Sequence, residues 1–513
     1  MKLNLKEVFL ALISGLLTAL SFPKFSFSFL IWISFIPLLF VIYRKKTKKA
    51  FLLGFIAGFA NYALLIYWIP SVPAHYGNVP YFLSFLIFIL FISILALFWA
   101  SFAWLFAFFS SYSPRFGFII SPFIWVSLEY ILTYFLTGFP WCLVGYAQYR
   151  NLYLIQIASI TGVYGVSFII LLFNSYFVLS IKERKRRPFI IAIIITAIVY
   201  LYGFYCLEKS FKNEDALRVG IIQGNVPSEI NWQELTTREI LNLFNEHLLL
   251  TIKASSEGAK LVIWPEFTVP FCLSCPEPIQ LHFKNGLFNL CKKKKIYVLI
   301  GSIEMEENNG KINYYNSALL LSEKGILSRY SKIHLVPFGE YVPFKKILFF
   351  VEKISHAIGE LTPGRSISLH EFNSYKFASP ICYEIIFPNL VRKFVKKGAN
   401  FLVTITNDGW YGRSSAPYQH FSMAVLRAVE NRRYLVRSAT TGVSGIIDPY
   451  GRIIKKSKLM TKTFLVTDIY ALNKKTFYTL YGDRFAFICI GITISLLIGN
   501  FIRKIFEKLN RKI

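Results

Sequence analysis

The sequence predicts a helical membrane bundle of eight spans that carries, between its seventh and eighth spans, one large α/β domain outside the cytoplasm. Three observations predict it. Of the 513 residues, 55% are hydrophobic and only 17% are charged, where a soluble domain carries about a quarter; the mean hydropathy is +0.48. The apolar residues gather into runs near the ~20 residues that cross a bilayer core. The 57 Lys/Arg, set against 28 Asp/Glu for a net +29, fall unevenly on alternate connections. Plentiful apolar material without Pro/Gly runs excludes a disordered chain.

The runs lie at 8–22, 27–43, 50–69, 81–109, 116–137, 152–181 and 188–207, and the last at 484–502. The first follows MKLNLKE and is read as a span, because no small-x-small cleavage site succeeds it. The run at 81–109 is ~43 Å long as a helix, so it tilts or protrudes from a ~30 Å core. One set of connections (the N-terminus, 44–49, 110–115, 182–187 and 503–513) holds 18 Lys/Arg; the other (23–26, 70–80 and 138–151) holds only Lys24 and Arg150. Lys/Arg bias places the first set in the cytoplasm. Both termini are then cytoplasmic, and the insert lies outside. The domains expected are 1–207 (spans 1–7), 208–483 (the insert) and 484–513 (span 8 and a basic tail).

Within the insert, strand patterns fall at 217–223, 260–264, 296–303, 315–321, 326–335, 374–381, 401–406, 434–439, 444–447 and 464–469, and helical patterns near 234–255, 277–294, 384–397 and 417–431. Strands interleaved with helices predict a layered α/β or α+β domain.

Three segments place a reactive side chain just past an apolar strand: LVIWPE ending at Glu266, YSKIHLVPFGE with Lys332 and Glu340, and ASPICYE with Cys382, Tyr383 and Glu384. Ligand sites of open α/β sheets gather at such strand ends. Helical character after Cys382 suggests a thiol at a helix N-terminus, where the dipole and a nearby lysine would lower its pKa. A carboxylate to take the thiol proton and an ammonium to hold an oxyanion complete a workable acyl-transfer set.

In that order, WPE, YSKIHLVPFGEYVP and ICYE resemble the Glu-Lys-Cys site of the nitrilase (carbon–nitrogen hydrolase) superfamily. With the flanking spans, the whole chain resembles the bacterial apolipoprotein N-acyltransferase family, as do TGFPWCLVGYAQY (137–149), IIQGNVPSEINW (221–232) and TNDGWYG (406–412). The resemblance implies a nitrilase-like αββα sandwich. It implies Glu266 as general base, Lys332 as the oxyanion-stabilising cation and Cys382 as nucleophile. It also implies supporting roles for Glu340, Tyr383, Glu384 and Trp232. Glu340 and Glu384 would orient Lys332 and the thiol; Trp232 would pack against an acyl chain or the lipoprotein end, with core packing as its alternative.

The activity so implied moves an acyl chain from a membrane phospholipid, through a cysteine thioester, to the α-amino group of the N-terminal diacylglyceryl-cysteine of an apolipoprotein. It needs no cofactor or metal, and implies a monomer in the bacterial inner membrane whose partners are the phospholipid donor, the apolipoprotein acceptor and the bilayer, not nucleic acid. The alternative is a membrane-tethered amidase that passes its acyl-enzyme to water. The segment Phe344–Val351, apolar with two lysines, suits a mobile interfacial arm that admits lipid. Cys272 and Cys275 are read as a disulfide or as two thiols; with His282 and Cys291 their spacing matches no common zinc site. Cys142, Cys206 and Cys489 are read as packing residues. His334 and His420 are read as scaffolding. Glu129, inside the fifth span, either shapes the floor under the site or is structural.

Overall fold

The computed structural model describes residues 3–141, 143–208, 216–227, 235–269, 271–275, 277–308, 310–343 and 360–510. Cys142, Trp232 and the 344–351 segment lie outside them. In chain order the helices are α1 (Leu5–Leu20), α2 (Ile36–Ile42), α3 (Thr47–Leu65), α4 (Ser71–Tyr76), α5 (Tyr81–Ser110), α6 (Pro114–Tyr134), α7 (Leu152–Ile155), α8 (Ala158–Thr161), α9 (Val163–Glu183), α10 (Arg187–Leu207), α11 (Thr237–Ser256), α12 (Pro278–Lys294), α13 (Pro388–Lys396), α14 (Ala416–Asn431), α15 (Phe477–Tyr481) and α16 (Arg484–Asn510). They form two compact units. One comprises residues 1–67, 87–206 and 481–513; the other comprises 68–86 and 207–480.

In the first unit α3, α5, α6, α9 and α10 are each long and apolar enough to cross a membrane. The remaining apolar runs are shorter or interrupted. The 27–43 run is a 3-10 turn, Ser28–Trp32, followed by α2. Pro37 explains the break: it lacks an N–H, and its ring would clash with the carbonyl of Ile33 in a continuous helix. Asn174 of α9 satisfies the interrupted backbone, accepting from the Phe35 N–H at 3.1 Å and donating to the Ile31 carbonyl at 3.1 Å. The 152–181 run divides at Gly162, whose φ of 67° no continuing helix allows. Glu129 of α6 is buried and one of its oxygens accepts from the Val144 N–H at 2.8 Å and the Trp125 indole at 2.9 Å. Close backbone approach between α1 and α3 needs Gly15, where a Cβ would lie 2.0 Å from the Ala57 carbonyl oxygen. Small residues let membrane helices pack in this way.

The second unit contains two six-stranded sheets. Its strands are β1 (Ala216–Gln223), β2 (Leu261–Ile263), β3 (Tyr297–Asn308), β4 (Lys311–Ser322), β5 (Gly325–Ser331), β6 (His370–Phe372), β7 (Tyr375–Ala378), β8 (Phe401–Thr406), β9 (Leu435–Ala439), β10 (Gly445–Ile447), β11 (Ile453–Lys456) and β12 (Thr463–Tyr470). The orders are β12-β1-β2-β3-β4-β5 and β11-β10-β9-β8-β7-β6. Each has three parallel strands at its centre, β1-β2-β3 and β7-β8-β9, with antiparallel flanks. All six positions of FLVTIT in β8 are buried, the continuous burial that a covered parallel strand requires. The first sheet is covered by α11 and α12 through a core that includes Phe244, Val262, Trp264, Leu287 and Val298. The second is covered by α14, against which α13 packs.

Strands β6 and β11 and the short helix α15 are missed by the sequence patterns, β6 being three residues long and β11 an edge strand with two exposed lysines. The 384–397 helical pattern also needs correction. Residues Cys382–Ile386 form a 3-10 turn, Phe387 is extended, and the α-helix starts only at Pro388. A proline disfavours the α region for the residue before it, so the helix cannot begin earlier.

His370 of β6 joins the two sheets at their edges. Its Nδ1 lies 2.8 Å from the Ser328 hydroxyl of β5 and its Nε2 2.7 Å from the Ser379 hydroxyl. Complete burial pushes its pKa down to about 3. The unfolded chain takes up this proton as pH falls through about 6.5 while the folded one does not, so the neutral imidazole's contribution is complete above 6.5 and is lost toward 3. The expected loss at pH 5 is about 2 kcal/mol. Melting temperatures between pH 7 and 4 should therefore fall more steeply for the unmodified protein than for His370→Gln; parallel curves would contradict this.

Candidate active site

Glu266, Lys332 and Cys382 all follow the carboxyl ends of strands in the second unit, β2, β5 and β7 respectively. Glu266 and Lys332 meet directly, and both influence the Cys382 thiol electrostatically. Lys332 Nζ lies 2.8 Å from Glu340 Oε1 and 3.3 Å from Glu266 Oε1, and all three side chains are buried. Burial opposes the ammonium, but Glu340 and Glu266 outweigh it and raise the lysine pKa above its ordinary value. Asn316 of β4, which the sequence reading passes over, lies between the carboxylates and donates to Glu266 at 2.8 Å and Glu340 at 2.9 Å. The second oxygen of Glu266 accepts from the Asn407 N–H at 2.7 Å, and that of Glu340 from the Val336 N–H at 2.8 Å.

Cys382 sits at φ 51°, a left-handed conformation that costs an L-residue about 1–2 kcal/mol. Its neighbours hold it there. Ile381 pairs in parallel with Ile405, which brings the next residues, Cys382 and Thr406, side by side with Thr406 Oγ1 3.2 Å from Sγ. Glu384 accepts from the Ile381 N–H at 2.7 Å on one oxygen. Its other oxygen accepts from the Tyr330 hydroxyl at 2.7 Å, the Ile333 N–H at 2.8 Å and the His334 N–H at 3.1 Å. One carboxylate thus ties the cysteine turn to the chain leaving β5, although burial pushes its pKa up. Tyr383 is buried beside His334 and Phe387, with ring centroids 5.8 and 5.3 Å away.

The thiol differs from the sequence expectation. It is six residues from the start of α13, at the head of the short 3-10 turn only, and burial pushes its pKa up. Glu266 and Asp408 add to that rise, and Lys332 and Thr406 oppose it. Cys382 therefore rests as a neutral thiol. His420 of α14 touches the same turn, its Nε2 donating to the Cys382 carbonyl at 3.2 Å while Nδ1 lies 2.9 Å from Asp408 Oδ1. Arg437 of β9 donates to Asp408 Oδ2 at 2.8 Å. Of these three, only Asp408 stood within a quoted motif.

The disulfide joins Cys272 to Cys275, so neither thiol is free for a metal, and Cys291 belongs to the apolar core. Cys206 and Cys489 are buried. Among the described residues no three His, Cys, Asp or Glu side chains group as metal ligands.

Glu266 is positioned by a close backbone approach: a Cβ on Gly301 of β3 would lie 2.7 Å from the Glu266 Cα and from the Pro265 carbonyl oxygen. Gly301→Ala should displace the carboxylate and slow acylation of Cys382 on the order of a hundredfold, with sheet content by circular dichroism retained. An unchanged acylation rate would show that the turn can move freely.

A family model described as carbon-nitrogen hydrolase matches residues 218–472, and one described as apolipoprotein N-acyltransferase N-terminal domain matches 14–176. The apolipoprotein N-acyltransferase of Geobacter metallireducens is 40% identical over 497 residues, 95% of this chain and 94% of the relative. That of Rickettsia typhi is 32% identical over 97% of this chain and 98% of the relative. A solved amidase from Nesterenkonia sp. shares 19% identity over 50% of this chain and 91% of its own, with a TM-score of 0.37. An N-terminal region rich in membrane-length helices, a nitrilase-like domain of two sheets and full-length likeness to these relatives lead to one assignment: the chain belongs to the apolipoprotein N-acyltransferase family.

Proposed function

We propose that the protein transfers an acyl chain from a membrane phospholipid, through a thioester on Cys382, to the α-amino group of the N-terminal diacylglyceryl-cysteine of an apolipoprotein. The observation that carries this reading is the buried cluster of carboxylates, ammonium and thiol, in which Lys332 lies 3.3 Å from Glu266 and 2.8 Å from Glu340. Glu266 takes the thiol proton and Sγ attacks the ester carbonyl. An ammonium has three N–H groups; two meet carboxylates, and the third serves the oxyanion that develops. Collapse breaks the ester C–O bond, and Glu266 returns the proton to the departing lysophospholipid oxygen. The acceptor amine then attacks the thioester, Glu266 takes its proton, and the thiol is restored.

Glu340 keeps Lys332 charged and fixed, and Glu384 holds the cysteine turn. Tyr383 lines the site beside the nucleophile. Trp232 serves the acyl chain or the lipoprotein end. No cofactor enters. The chain acts as a monomer in the bacterial inner membrane, crossing it eight times, with both termini in the cytoplasm and the catalytic domain outside; the 18-to-2 division of Lys/Arg among the connections supports this.

Mass spectrometry after incubation with phospholipid should find a hydroxylamine-labile acyl adduct on Cys382 that a diacylglyceryl-cysteine peptide clears into N-acyl product. Absence of the adduct would end this reading; clearance by water alone at the same rate would favour an amidase. For the topology, alkaline phosphatase fused within 217–308 should be active and fused within 44–49 or 182–187 inactive; the opposite pattern would invert the chain.

A further inference from the structure

Thr406 stands between the nucleophile and a charge. Its Oγ1 is 3.2 Å from Cys382 Sγ and 3.1 Å from Asp408 Oδ1, and the side chain is completely buried. A hydroxyl has one proton and two lone pairs, so it cannot donate to both neighbours at once. Which neighbour receives the proton depends on the charge of the sulfur.

Asp408 is the permanent charge of the pair. Burial opposes its ionisation, but Arg437 and His420 hold its carboxyl down at about 2. Opposite a neutral thiol, therefore, the Thr406 proton belongs to Asp408, because a hydrogen bond to a carboxylate is roughly twice as strong as one between neutral groups. Once the thiol proton has gone, the sulfur carries a charge of its own, and Asp408 still has the Arg437 guanidinium at 2.8 Å. The hydroxyl is free to turn.

We infer that Thr406 is a further catalytic residue, a hydroxyl that donates to Asp408 while Cys382 is a thiol or a thioester and turns to donate to Sγ when Cys382 becomes a thiolate. The inference rests on Cys382 being the nucleophile. Proton balance is simple: the Cys382 proton passes to Glu266 on attack, and the Thr406 proton stays on its oxygen throughout. When the S–C bond forms, the sulfur is neutral again and the hydroxyl returns to Asp408. In the second half, the thiolate that leaves on aminolysis receives the same donor. The fold makes this pairing possible by bridging Ile381 to Ile405 in parallel, and by fixing the end of β8 through the Thr440 N–H, which donates to the Thr406 carbonyl at 3.1 Å. The charged and titratable groups that act on the sulfur are Glu266, Lys332, Asp408 and Tyr411, with Arg437 and His420 behind Asp408.

The test uses the full-length protein in detergent and a small neutral alkylating reagent, iodoacetamide, with Cys382 read by peptide mass spectrometry from pH 6 to 9. No lipid is involved, so the result is independent of the acyl adduct that tests the transferase reading. Thr406→Val keeps the shape and loses the donor. Removing a hydrogen bond to a charged group should slow alkylation about ten-fold or more at fixed pH and move the pH–rate profile toward higher pH; Thr406→Ser should restore both. Thr406→Ala, a smaller side chain that relieves any crowding from the valine methyl, should behave like the valine variant. Profiles for Thr406→Val and Thr406→Ala that overlay the unmodified protein would overturn the inference, as would a serine variant as slow as the valine one.

Discussion

The Lys332 ammonium, buried between the Glu266 and Glu340 carboxylates, is the interaction around which the catalytic domain is arranged. Removing a charge from water costs several kcal/mol, and only close, well-formed partners return it. Here those partners come from different parts of the chain: Glu266 beyond β2, Glu340 eight residues past the lysine, and Asn316 from β4 donating to both carboxylates. The three charges in this cluster sum to one excess negative charge. In the proposed mechanism, that excess suits the acceptance of a proton from a thiol whose own ionisation is suppressed by burial. Burial alone would push the lysine toward its neutral form, and the two carboxylates reverse that. Charge, burial and proton affinity are therefore one property of the cluster and not of any single residue.

The same requirement explains why the cysteine turn is strained. A left-handed Cys382 needs its surroundings to define it, and Glu384 does so by gathering four donors from both sides of the site. The carboxylate couples the Lys332 strand to the Cys382 turn, so a shift in either is felt in the other. This precision is placed at the carboxyl ends of the central strands, where ladder hydrogen bonding stops and side chains are free to converge.

What the sequence made legible followed from local pattern. Apolar strands ending in WPE, SKIH and ICYE place their reactive residues at strand ends without knowledge of pairing, and most of the long strands and helices fall within a few residues of their patterns. What stayed hidden required long-range contact. Asn316 and Arg437 are ordinary residues inside strands until β4 and β9 bring them to the site, Thr406 opens the TNDGWYG motif but meets Cys382 only in the fold, and His420 lies 38 residues from the carbonyl it binds. Breaks caused by single residues were also hidden by averaging over a window. Pro37 divides the second apolar run, Gly162 the sixth, and Pro388 detaches the helix from Cys382, each through a backbone effect that hydropathy does not record.

Those breaks show how buried polar residues are used throughout the chain. Where a helix stops inside apolar surroundings, its free N–H and C=O groups must find partners, because each one left unpaired costs several kcal/mol in a medium without water. Asn174 supplies both a donor and an acceptor to the break at Ile31–Phe35, and Glu129 accepts the N–H of Val144 where the 138–151 connection enters. A carboxylate in a membrane-length helix is usually read as a functional group. For Glu129 the geometry supplies a structural role: one of its oxygens takes a backbone and an indole donor and holds a non-helical segment in place. Glu384 does the same in the second unit, where the backbone it holds carries Cys382, the proposed nucleophile. Glu129 and Glu384 thus organise backbone by accepting mostly N–H groups, whereas Glu266 and Glu340 share an ammonium.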